Sequence, residues 1–379
     1  MIKKTLFLLL VFLNLLFYFF QNRQVYLRKF DAAHFTKLYS QSQYVIGAKS
    51  ESGIGDDGLY AFAGYYYLIQ RGDPSQVNFE NPPLGKYLIG LSILLFGNEL
   101  VIYFFYGVAL LFITFLTAKL LFKDSFWAGL AVVILSFDPF FKNSLRFSML
   151  DLPLTLFFLS GLYFYLKANG RFRYFFTSSI FFGLSLSSKF FPGLTVLLAI
   201  LIIDIFFHDR KNIISYLISL LAIPLVYLLS HLAYFYYHPS LFEFLRYQKW
   251  ILVWRMGNPR VLGNILGTIF LGRYQNWWGE EGRRWIFDSE WTPFFPVFFI
   301  LAFLSLPFLL RKKDKRGLVI FGLSISLLFY LAVGTVGISR YLWPVYPLIL
   351  VLAIYTLRSG YSIIRPWQKL TLKRLKDVR

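Results

Sequence analysis

The chain has 379 residues, 57% of them hydrophobic and 21% aromatic, with a formal net charge of +20 and no cysteine. Repeated long apolar runs exclude an ordinary soluble domain and point to a polytopic membrane protein whose core is its bundle of spans. The missing cysteines exclude disulfides, a thiolate nucleophile and thiolate metal ligands, and His34, His208, His231 and His238 are too scattered to suggest a metal cluster.

Apolar runs bounded by charge predict an all-α membrane protein with about ten transmembrane helices. They lie near 5–20, 100–122, 126–141, 152–166, 174–188, 190–207, 213–236, 292–310, 318–336 and 341–357. The first follows Lys3-Lys4 and runs into Gln21-Asn22-Arg23, which offers no small-residue cleavage site. It reads as an uncleaved span. The whole of 1–379 reads as one integral membrane domain, with two large external loops, 21–99 and 237–291, and short links on the other side.

Charge sets the expected orientation. The side holding both termini and the short links collects 21 basic and 5 acidic residues, the other 18 basic and 14 acidic. The positive-inside rule therefore places both termini in the cytoplasm, in a cell membrane, and any chemistry on the outer face. The excess charge is explained by topology, so nucleic acid is not an expected partner.

Within the first external loop, residues 55–97 read GDDGLYAFAGYYYLIQRGDPSQVNFENPPLGKYLIGLSILLFG. Asp56 and Asp57 stand ahead of a helix-length aromatic run that stops at Gly72, Asp73 and Pro74. One aspartate suffices as an N-cap, which leaves the other without that task. Glu80 precedes Asn81-Pro82-Pro83, a stiff corner that fixes a carboxylate in place. Residues 84–96 are apolar but shorter than the roughly 20 needed to cross a bilayer, so they are expected to lie in the interface as a helix. Leu84, Tyr87, Leu88, Leu91, Leu94 and Leu95 form its apolar stripe, with Lys86 off that stripe.

Further along, Asp138, Arg146, Asp151, Lys189 and Arg340 recur at the outer ends of spans. Lys189 lies inside the apolar run LSLSSKFFPGL, where a lysine costs about 2.5–3.5 kcal/mol on insertion scales. It either meets an anion or snorkels to the interface. Arg146 and Asp151 flank a turn, as an ion pair, as a helix cap or as substrate contacts. Arg340, followed by Tyr341, carries a forked guanidinium suited to phosphate, or simply anchors a span. The stretch 273–291, RYQNWWGEEGRRWIFDSEW, is dense in Trp and charge, which suits either sugar rings or interfacial anchoring.

These residues resemble the polytopic glycosyltransferases of the glycosyltransferase-C fold, in particular the protein O-mannosyltransferase family and the transferases that add aminoarabinose to lipid A. The resemblance rests on Asp56-Asp57-Gly58-Leu59-Tyr60-Ala61, on Asn81-Pro82-Pro83-Leu84-Gly85-Lys86, on the Arg146 to Asp151 turn and on Lys189. This chain has Asp57 where the family's acidic pair ends in Glu, and Asn81 where its proline motif begins with His. The resemblance implies transfer of a sugar from a polyprenyl-phosphate donor to a hydroxyl on a protein, lipid or glycan. Asp56, Asp57 and Glu80 are then the candidate catalytic carboxylates, with Asp56 the favoured base. Lys86, Arg146, Asp151, Lys189, Arg340 and Tyr341 are the candidate substrate contacts. No residue is assigned to a metal, and a requirement for a divalent ion stays open. The alternative is a polyprenyl-linked sugar flippase without catalysis, which would want polar residues through the midplane rather than at the outer rim.

Overall fold

The computed structural model describes residues 2–51, 53–257, 260–276 and 284–377. In the first half, α1 (Ile2–Gln21), α2 (Arg23–Leu27) and α3 (Ala32–Ser40) lead to α4 (Asp56–Gly64) and α5 (Leu84–Phe96). Next come α6 (Val101–Phe122), α7 (Ser125–Phe137), α8 (Pro139–Ser144), α9 (Asp151–Lys167), α10 (Phe172–Ser188) and α11 (Gly193–His208). The second half runs through α12 (Ile213–Ser219), α13 (Ala222–Ser230), α14 (Leu232–Tyr237), α15 (Leu241–Met256) and α16 (Asn264–Leu271). A hairpin of β1 (Arg273–Gln275) and β2 (Trp285–Phe287) follows, then α17 (Phe294–Phe303), α18 (Ser305–Lys312), α19 (Lys315–Gly334) and α20 (Tyr346–Asp377).

The chain is a multi-pass membrane protein, but the expectation of about ten spans is corrected. Among the described residues, four helical segments are long and apolar enough to cross a membrane: Val101–Phe122, Arg210–Ser230, Phe294–Lys312 and Lys315–Gly334. The second joins a short 3-10 turn to α12 and α13, and the third joins α17 to α18. Apolar letters alone overcounted because they ignore helix length. The 13 residues of α7 reach only about 20 Å at 1.5 Å per residue, against a hydrocarbon core of about 30 Å. Helix α9, with 17 residues, is buried on nearly every face, so its apolar character serves helix packing rather than lipid contact. The antiparallel hairpin, with Arg273 opposite Phe287 and Gln275 opposite Trp285, also departs from a purely helical chain.

The core is one continuous cluster. Helix α9 packs between α6 and α10, α10 also meets α13, and α20 lies against α17 and α7. A satellite cluster sits beneath α4, where Leu59, Phe62 and Ala63 recur at helical spacing and bury with Ile54, Tyr67 and Val77. Helices α4 and α5 touch at two glycines: a Cβ on Gly64 would lie 2.7 Å from the Lys86 carbonyl, and one on Gly90 would lie 2.3 Å from the Gly64 carbonyl. Beyond Gly64 the helix widens into a π turn, closed by the Gln70 N–H on the Tyr65 carbonyl at 3.1 Å. The apolar stripe of α5 ends exposed at Leu94 and Leu95, whereas Gly85, Lys86, Ile89 and Gly90 on its other face are buried.

Helix α5 stops at Gly97, whose φ of 66° is the left-handed conformation that glycine adopts without strain. The next residue, Asn98, ties the corner together. Its amide donates to the carbonyls of Val25 at 2.9 Å and Arg28 at 2.8 Å, while its Oδ1 accepts the Leu100 N–H at 2.6 Å at the start of α6. The whole segment from α2 to α5 is thereby anchored to the bundle.

Candidate active site

Helix α4 begins at Asp56, with Gly55 in the N-cap position and no capping bond from a side chain. The expected aspartate cap is therefore replaced by a glycine, and both carboxylates occupy the first helical turn. Consecutive helical residues point about 100° apart. That angle separates the pair. Asp56 Oδ2 lies 2.7 Å from Arg340 Nη2. Asp57 instead lines a cavity of about 420 Å³ with Arg28 and Arg146. The Asp57 backbone carbonyl accepts the Ser148 hydroxyl at 2.7 Å, which fastens the start of α4 to the turn between α8 and α9.

A second pair stands close by. Lys189, extended just past the end of α10, places Nζ 2.6 Å from Oδ1 of Asp151 at the start of α9. The lysine in an apolar run thus finds its anion within the protein, on the neighbouring helix. Arg146 is exposed and does not form this pair. Asp151 Oδ2 and Arg340 Nε are buried and lack hydrogen-bond partners among the described residues. The Tyr341 ring takes Lys189 Nζ at 5.3 Å and the Arg340 guanidinium at 5.6 Å from its centroid, a cation–π contact with both. Burial works against the Arg340 charge, yet Tyr341, Asp56 and Asp151 outweigh it and hold its proton affinity above the ordinary arginine range.

Beside these pairs lies a cavity of about 480 Å³. Asp151, Lys189, Arg255, Arg260 and Tyr341 are among its polar lining, and Leu252 and Leu331 are among its apolar walls. Arg255 is a residue the sequence reading missed. Its Nη2 donates to the Glu80 carbonyl at 3.0 Å and to Asn81 Oδ1 at 2.9 Å, so α15 is tied to the proline corner. A signal was present: Ser240 and Glu243 form a capping-box pattern, and the Ser240 hydroxyl indeed accepts the Glu243 N–H at 3.3 Å to start the helix that carries Arg255.

Glu80 and Lys86 form a separate, buried cluster. The Lys86 ammonium donates to the Asn78 carbonyl at 2.6 Å, to Asn78 Oδ1 at 3.2 Å and to the Asn81 carbonyl at 2.7 Å. These three acceptors match its three protons. The Asn78 amide in turn donates to Glu80 Oε1. Burial pushes the Glu80 carboxyl above its usual range, against the opposing charge of Lys86. Neither side chain lines the two cavities described above. Within the Trp-rich stretch, residues 277–283 lie outside the described residues, and they include Trp277, Trp278, Glu280 and Glu281. Among the described residues, no three His, Asp or Glu side chains converge as a set of metal ligands.

A model of the dolichyl-phosphate-mannose-protein mannosyltransferase family matches residues 80–234. That stretch takes in Glu80, Lys86, Arg146, Asp151 and Lys189, and leaves Asp56, Arg340 and Tyr341 outside it. Comparison with curated proteins finds no match. Solved structures align over much more of the chain. ArnT from Cupriavidus metallidurans in the apo state aligns with a TM-score of 0.58 and 14% identity, covering 80% of this chain and 55% of that one. The same protein bound to undecaprenyl phosphate gives 0.57 and 15%, covering 80% and 56%. The oligosaccharyltransferase AglB from Archaeoglobus fulgidus, in complex with an inhibitory peptide and a dolichol-phosphate, gives 0.54 and 14%, covering 97% and 52%. The chain therefore spans about half the length of these proteins and shares their glycosyltransferase-C-like fold.

Proposed function

We propose that the chain transfers a sugar from a polyprenyl-phosphate donor to a hydroxyl acceptor, with Asp56 as the general base. The observation that carries this reading is the ion pair of Asp56 with Arg340, whose guanidinium packs on the Tyr341 ring, while Tyr341, Lys189 and Arg255 themselves line a cavity with apolar walls. Such a cavity suits a phosphate head joined to a hydrocarbon chain. The bound polyprenyl phosphates of the two similar structures, undecaprenyl phosphate in ArnT and dolichol-phosphate in AglB, support the donor class.

The steps follow from these groups. The acceptor hydroxyl gives its proton to Asp56 as its oxygen attacks the anomeric carbon of the sugar. The new carbon–oxygen bond forms while the bond from that carbon to the phosphate oxygen breaks. The leaving polyprenyl phosphate keeps the electron pair. Lys189 and Arg255, aided by Arg340, stabilise the charge that grows on that phosphate, and such preorganised cations act where water is excluded. Arg340 also fixes Asp56 through Oδ2, which leaves Oδ1 for the acceptor. A positioned base of this kind contributes about 10²- to 10⁴-fold. Asp57, which lines the other cavity, and Glu80, buried and engaged by the Asn78 amide, are less well placed for that proton than Asp56 beside Arg340. Arg146, beside Asp57, would meet the acceptor rather than the phosphate. Lys86 would hold the proline corner. The charge asymmetry of the chain supports a site on the outer face of the cell membrane with both termini inside.

The test is turnover by purified protein of polyprenyl-phosphate sugars offered with peptide, lipid and glycan hydroxyls. Release of free polyprenyl phosphate only when an acceptor is present is the expected result. Movement of intact donor across vesicles without that release would support a flippase and defeat the proposal.

A further inference from the structure

Near the end of the charged stretch 273–291 come Asp288, Ser289 and Glu290, and the two carboxyl groups converge on one hydroxyl from a distant part of the chain. Ser339, the residue before Arg340, places Oγ 2.9 Å from Asp288 Oδ1 and 3.1 Å from Glu290 Oε2. Its backbone N–H donates to Asp288 Oδ2 at 2.9 Å. A serine hydroxyl has one proton to give. It can point squarely at only one of the two carboxyl groups, so both contacts are full, well-aligned hydrogen bonds only when the other carboxyl brings a proton of its own, the alternative being one proton shared weakly between two like charges.

The remaining partners say which. Asp288 Oδ1 also accepts the Glu290 N–H at 3.0 Å, so with the Ser339 N–H and hydroxyl Asp288 takes three donors. Glu290 takes one, from Asn143 Nδ2 at 3.2 Å on Oε1. Its Oε2 is left to face a hydroxyl whose proton is already committed. We propose that Glu290 is kept as the neutral acid, donating from Oε2 to Ser339 Oγ, and that the chain Asn143, Glu290, Ser339, Asp288 holds the turn that presents Arg340 to Asp56. Glu290 is then a positioning residue.

The surrounding charges agree. Burial raises the Glu290 carboxyl above its usual range and Asp288 and Asp151 add to it, while the Ser339 hydrogen bond and Arg340 oppose. Tyr274, on β1, is a further titratable group facing the cluster among the described residues. As pH rises through the Glu290 value, a second negative charge appears beside Asp288 and the bond to Ser339 is lost, so the turn 338–342 loosens. The inference rests on the proposed transfer reaction only for what Arg340 does to Asp56. The latch itself is read without substrate.

Infrared difference spectra of the full chain in detergent, wild type against E290Q, should show a protonated carboxyl carbonyl band at neutral pH that the variant lacks. In S339A the band should remain but shift, because its acceptor is gone. Hydrogen exchange across 338–342, corrected for intrinsic rates, should show protection falling about tenfold with rising pH in the wild type, the scale of one lost hydrogen bond. In E290Q, whose amide can donate at every pH, protection should stay flat. The absence of the band, a band unmoved in S339A, or the same pH-dependent loss in E290Q would each overturn the proposal. A protein that transfers no sugar yet keeps the band would defeat the transfer reading alone.

Discussion

Asp56 and Asp57 differ in what they face, so amide substitutions can separate their roles. Asp56→Asn should lower transfer by about 10²- to 10⁴-fold, the usual contribution of a positioned base. Because Gly55 rather than either aspartate occupies the cap position, the fold should hold in both variants, and Asp57→Asn should be much milder. Steady-state turnover with saturating donor and acceptor measures this, and full activity in Asp56→Asn would move the base elsewhere. The Asp151 and Lys189 pair supports a second prediction, on stability. Removing one partner of a buried ion pair costs about 3–5 kcal/mol, because the other charge is left uncompensated. Lys189→Met should therefore destabilise the protein in detergent far more than the double change Asp151→Asn with Lys189→Met, and simply additive costs would mean that the pair does not act as one. Some of this was legible in the letters. A lysine inside an apolar run announces that it needs an anion, and paired aspartates before a helix announce a spare carboxylate. Which charges meet was not legible: Arg340 reaches Asp56 from the opposite end of the chain, and only the packing of α20 brings them together.

At the scale of elements, the contact between α4 and α5 sets the position of the site, since α4 carries Asp56 and α5 begins at the proline corner that Arg255 grips. Their axes approach only because both contact residues lack a Cβ. Gly90→Ala would put a methyl carbon 2.3 Å from the Gly64 carbonyl oxygen, a backbone atom that cannot swing aside. Overpacking of this kind costs about 1–3 kcal/mol, more than the roughly 1 kcal/mol by which Ala is favoured over Gly in a helix. Gly322 in α19 has no atom within 4 Å of its notional Cβ, and Gly322→Ala should be neutral or mildly stabilising. Thermal unfolding of the two variants checks the contrast, and equal shifts would show that the glycine contact is not tight. Helix boundaries were largely legible because charges, glycines and prolines mark them. Span count was not, because apolar composition does not distinguish a helix in lipid from one like α9, wrapped by other helices.

For the whole molecule, the distribution of charge predicts which ends of the helices face the cytoplasm. Single cysteines can be introduced without background into a chain that has none. Gln76→Cys, in an exposed turn of the first large loop, should react with an impermeant thiol reagent on intact cells, and Lys315→Cys, exposed at the start of α19, should react only after permeabilisation. The reverse pattern would put Asp56 and Arg340 on the cytoplasmic side and remove the site from the face proposed for it. An expectation for orientation can be drawn from lysine and arginine counts because orientation is set by many small electrostatic contributions, whereas the pairing of particular side chains depends on the packed bundle.

The burial of α20 carries a further consequence, for the order in which the molecule is made. From Leu342 to Tyr355 every residue is buried, with Trp343 and Tyr346 among the largest fully enclosed side chains. Yet this helix follows all the other described elements in sequence. Segments synthesised earlier must therefore wait in the bilayer as a bundle with an open centre, and the late helix must enter between α7 and α17 after they have been laid down. Arg340, just ahead of that helix, arrives with it. A ribosome-stalled chain ending before residue 340 would hold Asp56 without its guanidinium, so the pair proposed for catalysis can form only once Arg340 has been made.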